Sequence, residues 1–445
     1  MPTLRPKNAP VVTSTTTGDK LLLDGDTLRS ITVEDFRGSE TGTGAMVRAV
    51  GPTITNAIVG TQTSSDNSTK AASTEFVNTA VAAGVGLLSN LRVAKSAAYT
   101  ILNSNKGQTI ALGGSAFYAL TFAAASGYDA NFTVFVVNED TARAKKIILS
   151  GGETFRLYPG QSIIVLNSNN VWHTVGRCRW RHPGGDLNVY SDYGAGNDNN
   201  DGLAAGAGNA FKSVAGALAQ IFNDVDFNGT GANTRLIVNM ADNTTDLDGI
   251  HFSAHSYVGA QGGAAIKIQG GTASAITATG TDAIGIFCNM QVQIANLTLA
   301  TVTSGACINA DRGAVVEIVG PVTFGVSAGA HMTANRGARI YRFNDYTISS
   351  NATAHMVCQG NGASITGGTI TVTLTQNVAI ATFALAVNQG SIICANDTYS
   401  LGGFINTGKR YQADNLSLIL SATGGTANFF PGTSAGSTSG GSQYL

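Results

Sequence analysis

"CINADRGAVVEIVGPVTFG" (Cys307–Gly325) is followed 24 residues later by "HMTANRGARIYRFNDYTIS" (His331–Ser349). The two share Asp-Arg-Gly-Ala against Asn-Arg-Gly-Ala, an aliphatic residue three places past the Gly, and an apolar-rich stretch beyond it. With Gly337 as origin, Met332 lies five places before and Ile340 three places after. The same frame finds Ile308 and Val316 about Gly313, Ile286 and Ile294 about Gln291, and Val258 and Ile266 about Gly263. Going forward it finds Val357 and Ile365 about Gly362, then Leu385 and Ile393 about Gly390. Gln291 is the one anchor that is not Gly.

Six units spaced 22 to 28 residues apart, rich in β-branched residues, indicate a solenoid whose coils bury their apolar faces by stacking. The Leu/Asn ladder of leucine-rich repeats is missing, and helical repeats need longer amphipathic segments. A parallel β-helix fits, with Gly at the corners and Ile/Val columns inside. Six coils at the inter-strand spacing make a rod on the order of 30 Å.

Composition supports strands. Charged residues make up 12% of the 445, against ~25% in an average domain, and there are 55 glycines. The net charge is −1, with Lys and Arg scattered singly, so nothing builds the basic stripe that nucleic acid requires. No apolar run is long enough to suggest membrane insertion, and "MPTLRPKNAP" lacks the apolar core of a signal peptide. The five cysteines show no CxxC spacing and read as free, buried thiols.

Upstream of the repeats, Phe211, Val214, Leu218 and Ile221 fall at helical spacing. They predict a helix over about 209–222 that caps a β-helix spanning 186–420, leaving 421–445 as a Gly/Ser-rich tail. Residues 91–180 alternate apolar and polar with Gly/Asn turns, which predicts a small antiparallel β-sandwich-like spacer. Within 51–90, a linker and short helix, Ser73 caps the helix, Phe76, Val77, Ala80 and Val81 form its apolar face, and Gly84 stops it. Such a helix is stable only in company, as one of three in a bundle.

Several segments resemble bacteriophage tail fibre and tailspike proteins. "GTQTSSDNSTKAASTEFVNTAVA" (Gly60–Ala82) is similar to their linker-plus-helix segments, and "GDKLLLDGDTLRSITVEDF" (Gly18–Phe36) to their N-terminal strand segments. "NVYSDYGAGNDNNDGL" with "AFKSVAGAL" looks like the strand, loop and helix that lead into tailspike β-helices. "FFPGTSAGSTSGGSQYL" resembles C-terminal tails of phage structural proteins. The resemblance implies an all-β homotrimer with a right-handed parallel β-helix, assembled in the bacterial cytoplasm and carried on the virion. Residues 1–50 would attach to other tail or baseplate proteins, and the β-helix would bind a bacterial surface polysaccharide. Alternatives are a polysaccharide depolymerase, either glycoside hydrolase or lyase, and a purely structural spike or collar protein.

Chemistry-bearing motifs are sparse. "GTSAG" (Gly432–Gly436) matches a nucleophile elbow but lacks the strand before and helix after it. "NDNNDG" fails as a calcium loop because Gly208 stands where the bidentate Glu belongs. His251 and His255 have helical zinc spacing in a strand-like context with no third ligand. No metal or cofactor is expected. Glycan cleavage needs two carboxylates ~5–9.5 Å apart. The candidates are Asp345 and Asp397, which occupy near-equivalent places two coils apart, then Glu317 and Asp311. For glycan binding the candidates are Arg312 and Arg336, stacked by the repeat, with Arg339, Tyr341, Arg342 and Asp345. The competing reading makes Arg312 and Arg336 corner residues that bond within the coil.

Overall fold

The computed structural model describes residues 91–183, 185–226, 235–253, 266–421 and 426–445. The expected attachment segment, linker and short helix before residue 91 lie outside the described residues, as do Val258, Gly263 and His255.

From Leu187 onward the chain coils through three parallel sheets of ten, seven and eight strands. Each coil adds one strand to a sheet before moving to the next, so the repeat is a three-faced parallel β-helix. Ten stacked rungs span on the order of 45 Å. On the ten-stranded sheet, Leu236, Ile266, Val292, Val316, Ile340, Ile365, Ile392 and Ile419 are successive register partners. All eight are fully buried. The eight-stranded sheet stacks Ile250, Ile284, Ile308, Met332, Met356 and Ala384. The seven-stranded sheet stacks Ile276, Leu299, Phe324, Ile348 and Leu374.

Five of the predicted ladder positions are displaced. Ile286 and Ile294 lie two residues past their column members, Ile284 and Val292, and stay inside because two steps along a strand return to the same face. Val357, Leu385 and Ile393 lie one residue past Met356, Ala384 and Ile392, and a single step turns them to the outer face, half-buried. For Leu385 and Ile393 the cause is the corner. Arg312-Gly313 and Arg336-Gly337 both turn through left-handed backbone, but in the coil before Gly390 that turn is made by Asn388 and Gln389. Gly390 is needed for another reason: a Cβ there would lie 2.3 Å from the Cys358 carbonyl oxygen.

The cap helix spans Val214–Asp224. Its start is set by Ser213, whose hydroxyl accepts from the Gly216 N–H at 2.9 Å, and by Asp246, which accepts from the Val214 N–H at 2.8 Å. Phe211 lies before the helix and bridges to Ser191 instead. Val214, Ala217, Leu218, Ile221 and Phe222 close one end of the core.

The C-terminal residues depart from the expected tail. Ser437–Thr438 and Gln443–Tyr444 pair with the coil before them. Tyr444 stacks on Tyr411 with ring centres 3.7 Å apart, and Phe430 is buried against Phe383 and Tyr399. The glycines of this segment are packing residues, since a Cβ on Gly436 would collide with the Tyr411 ring at 2.1 Å. The Gly/Ser composition marks close approach of one coil to the next.

Residues 91–180 also depart from expectation. Their strands do form two facing sheets around a core centred on Trp172, Phe122 and Phe132. However, Arg92–Lys95, Thr109–Leu112 and Thr133–Asn138 pair in parallel, as do Tyr99–Thr100, Ala119–Phe122 and Lys145–Leu149. Only the last strands, Thr154–Leu157, Ser162–Ser168 and Val171–Val175, run antiparallel. The hairpin at Asn169-Asn170, both with positive φ, has the two-residue turn that reverses a strand tightly. The earlier connections are crossovers between sheets.

Candidate functional site

The outer face of the ten-stranded sheet gathers three of the predicted side chains, Glu317, Arg339 and Tyr341. Gln291, Val315 and Arg339 form one row across three coils, and Gln293, Glu317 and Tyr341 the next. Glu317 accepts from the Gln291 amide at 2.7 Å and the Gln293 amide at 2.8 Å, so both its oxygens are held. Arg235 donates to the Gln293 side-chain amide oxygen, Oε1, at 3.4 Å. Beyond Tyr341, Phe343 stands 56% exposed, with ring centres 5.5 Å apart and planes within 5°. Residues two apart share a face of a strand, so "RIYRF" delivers Arg339, Tyr341 and Phe343 outward together. Phe343, which stacks on Tyr341, was missed in the sequence reading although its spacing from Tyr341 carries the signal.

The same parity sends Arg342 inward. Its side chain is fully buried and ion-paired with Asp397 at 2.5 Å, and it donates to the Ile393 carbonyl at 3.0 Å and the Cys394 sulfur at 3.2 Å. Its register partner in the next coil is Gly367, and the missing side chain there lets the guanidinium pass to the coil beyond. Arg342 and Asp397 are therefore closed to any ligand arriving from outside.

Arg312 and Arg336 sit on the corner, side chains 63% and 64% exposed. Arg336 donates from Nε to Asp311 at 2.7 Å and through a second contact from its terminal nitrogen, and the Arg312 backbone N–H donates to the same carboxylate at 2.8 Å. Burial alone would push the Asp311 carboxyl up, but these two arginines hold it below the usual range. Asp345 is exposed and accepts from the Thr371 N–H at 2.7 Å. Among the described residues the four carboxylates thus hold four different sets of partners: Asp311 with Arg336, Glu317 with two amides, Asp345 with a strand backbone, Asp397 with Arg342.

The acidic loop before the helix is likewise occupied by protein. Asp201 takes Arg143 at 2.8 Å and 2.5 Å, and Asp198 accepts from the backbone N–H groups of Lys212 and Ser213. Cys307, Cys358 and Cys394 are buried, each thiol pushed up to about 12 by desolvation, whereas Cys288 is half-buried and Cys178 is exposed.

Comparison with known protein families, with curated proteins and with solved structures finds no match to this chain.

Proposed function

We propose that this chain is a homotrimeric appendage of a bacteriophage virion, attached through residues 1–50 to other virion proteins, whose β-helix binds a bacterial surface polysaccharide. The observation that carries the reading is the parallel, stacked Tyr341–Phe343 ring pair on the outer face of the ten-stranded sheet, Phe343 exposed and Tyr341 half-buried. A pyranose offers an apolar ring face to such an aromatic pair, while its hydroxyls meet the hydrogen-bonding groups of Glu317 and Gln293, one and two coils away, and of Arg339 in the neighbouring row. The repetition of coils also suits a ligand that itself repeats.

The test is binding of purified protein to surface polysaccharide of the propagating host, with polymer length followed on a gel. Wild type is expected to bind and leave chain length unchanged. Tyr341→Ala/Phe343→Ala should weaken binding at least about tenfold, the loss of one well-packed aromatic contact, while preserving a mass three times that of the chain. Unaltered binding by the double variant would sink the assignment of this face. Shortened chains would favour the depolymerase, and no binding at all a structural spike.

A further inference from the structure

Inside the β-helix, one wall of the core is polar. His331 Nε2 lies 3.0 Å from the Gly325 carbonyl oxygen, His331 Nδ1 lies 3.0 Å from His355 Nδ1, and His355 Nε2 lies 2.7 Å from the Tyr346 hydroxyl. All three side chains are essentially excluded from solvent. A carbonyl only accepts, so His331 must carry its hydrogen on Nε2, and in a neutral ring Nδ1 is then the acceptor. His355 must therefore donate from Nδ1 and accept at Nε2, which makes Tyr346 the donor at the far end. Every hydrogen in the line has one permitted place.

The surroundings fix that direction. Phe324 and Phe383 flank the rings and offer no titratable group. From the strand of Arg342 comes a guanidinium, whose charge acts on both Tyr346 and His355. Cys394, Asp397 and Tyr399 gather about the same guanidinium, Asp397 being its ion-pair partner, and Cys394 and Asp397 act on Tyr346 as well. A proton arriving on His331 sets two N–H groups head-on at the Nδ1–Nδ1 contact. To reverse the line the Tyr346 hydrogen must leave His355 and turn to the side from which the Arg342 guanidinium, which has donors and no acceptor, acts on it.

We propose that the Tyr346–His355–His331 line is an acid-operated weak point built into the middle of the β-helix: a proton taken up by either imidazole removes an acceptor the line depends on and opens the coils from Val322 to Gln359. The linkage has a definite sign. Burial holds the His331 ring down at about 4, and burial, then His331 and Arg342, hold His355 well below its ordinary value of 6.5. The opened chain binds protons that the closed chain refuses, so stability is complete above pH ~6.5 and is lost as pH falls from there towards ~4. Each ring contributes up to about a tenfold change in the opening equilibrium per pH unit.

Hydrogen exchange of the full-length protein, read by peptide at pH 7.5, 6.5, 5.5 and 5.0 and corrected for intrinsic rates, tests this. Peptides covering 322–359 should open about ten- to a hundredfold more per unit below pH 6.5, and those from the 91–180 module should not. In His331→Gln/His355→Gln, which keeps donors and acceptors but cannot titrate, that difference should vanish. A pH response equal across the chain, or one that survives in the double variant, overturns the proposal. Should that variant not fold, 15N-histidine spectra of the wild type decide: two neutral rings of opposite tautomer at pH 5.5 are expected, and a protonated ring in the folded protein at that pH overturns it.

Discussion

Arg342 shows how far a single position can be read and where reading stops. Period-two alternation places it on the face of Ile340, so its burial was legible from "RIYRF" alone. Its partner was not, because Asp397 lies 55 residues on and reaches it past an intervening coil that Gly367 leaves open. The Nε of Arg342, one oxygen of Asp397 and the Tyr399 hydroxyl are buried without a hydrogen-bond partner. The pair therefore sits in a setting where the desolvation cost of two charges is not fully offset. Arg342→Met alone or Asp397→Leu alone should each cost about 3–5 kcal/mol, because each strands one charge, whereas the double replacement should come close to wild type. Urea unfolding of the four proteins as a double-mutant cycle checks this, and additive losses would refute it. By contrast, Arg312 and Arg336 sit at the corner, as the reading that competes with glycan binding has them, but Arg336 bonds the Asp311 carboxylate of the preceding coil and not groups within its own.

At the scale of elements, periodicity revealed which segments are strands better than how they pair. The solenoid was legible because stacking repeats the same burial demand every coil, and left-handed corners advertise themselves as Gly or Asn. About Gly390 its register slipped because the corner there is turned by Asn388-Gln389 in place of Gly. The module at 91–180 was recognised as two facing sheets of strands, but alternation is blind to strand direction, and the turns that encode reversal occur only after Leu149. The last coil escaped notice because glycine and serine read equally as slack chain and as close packing. Here the structure makes a sharp claim: residues 426–445 seal the core with Phe430 and cover the strands Lys409–Asp414 and Leu418–Ser421. A protein ending at Ser421 should lose thermal stability and self-associate through those uncovered strands. Light scattering during a thermal ramp would show this, and a monodisperse, equally stable truncation would contradict it.

Over the whole described body, the module and the β-helix are joined by charge as well as by packing. Arg143 pairs with Asp201, both almost fully buried, and Arg156 donates to the carbonyls of Asp198 and Asn200 and to Gln220 of the cap helix. Tyr158 stacks on Trp180 with centres 4.9 Å apart and belongs to the β-helix core. Residues 91–183 are thus the outer lid of the solenoid. Asp201→Asn should strand the Arg143 charge at this junction at a cost of about 3–5 kcal/mol and split one calorimetric transition into two. A single transition at the wild-type temperature would show that packing alone couples the parts. Because strands run across the axis, the hydrogen bonds between coils point along it. A pull from end to end therefore loads the coil–coil junctions in series, like links of a chain, while the bonds of each junction share the load. The tension such a rod can bear is set by its weakest junction and does not grow with the number of coils, so lengthening it adds reach without adding strength.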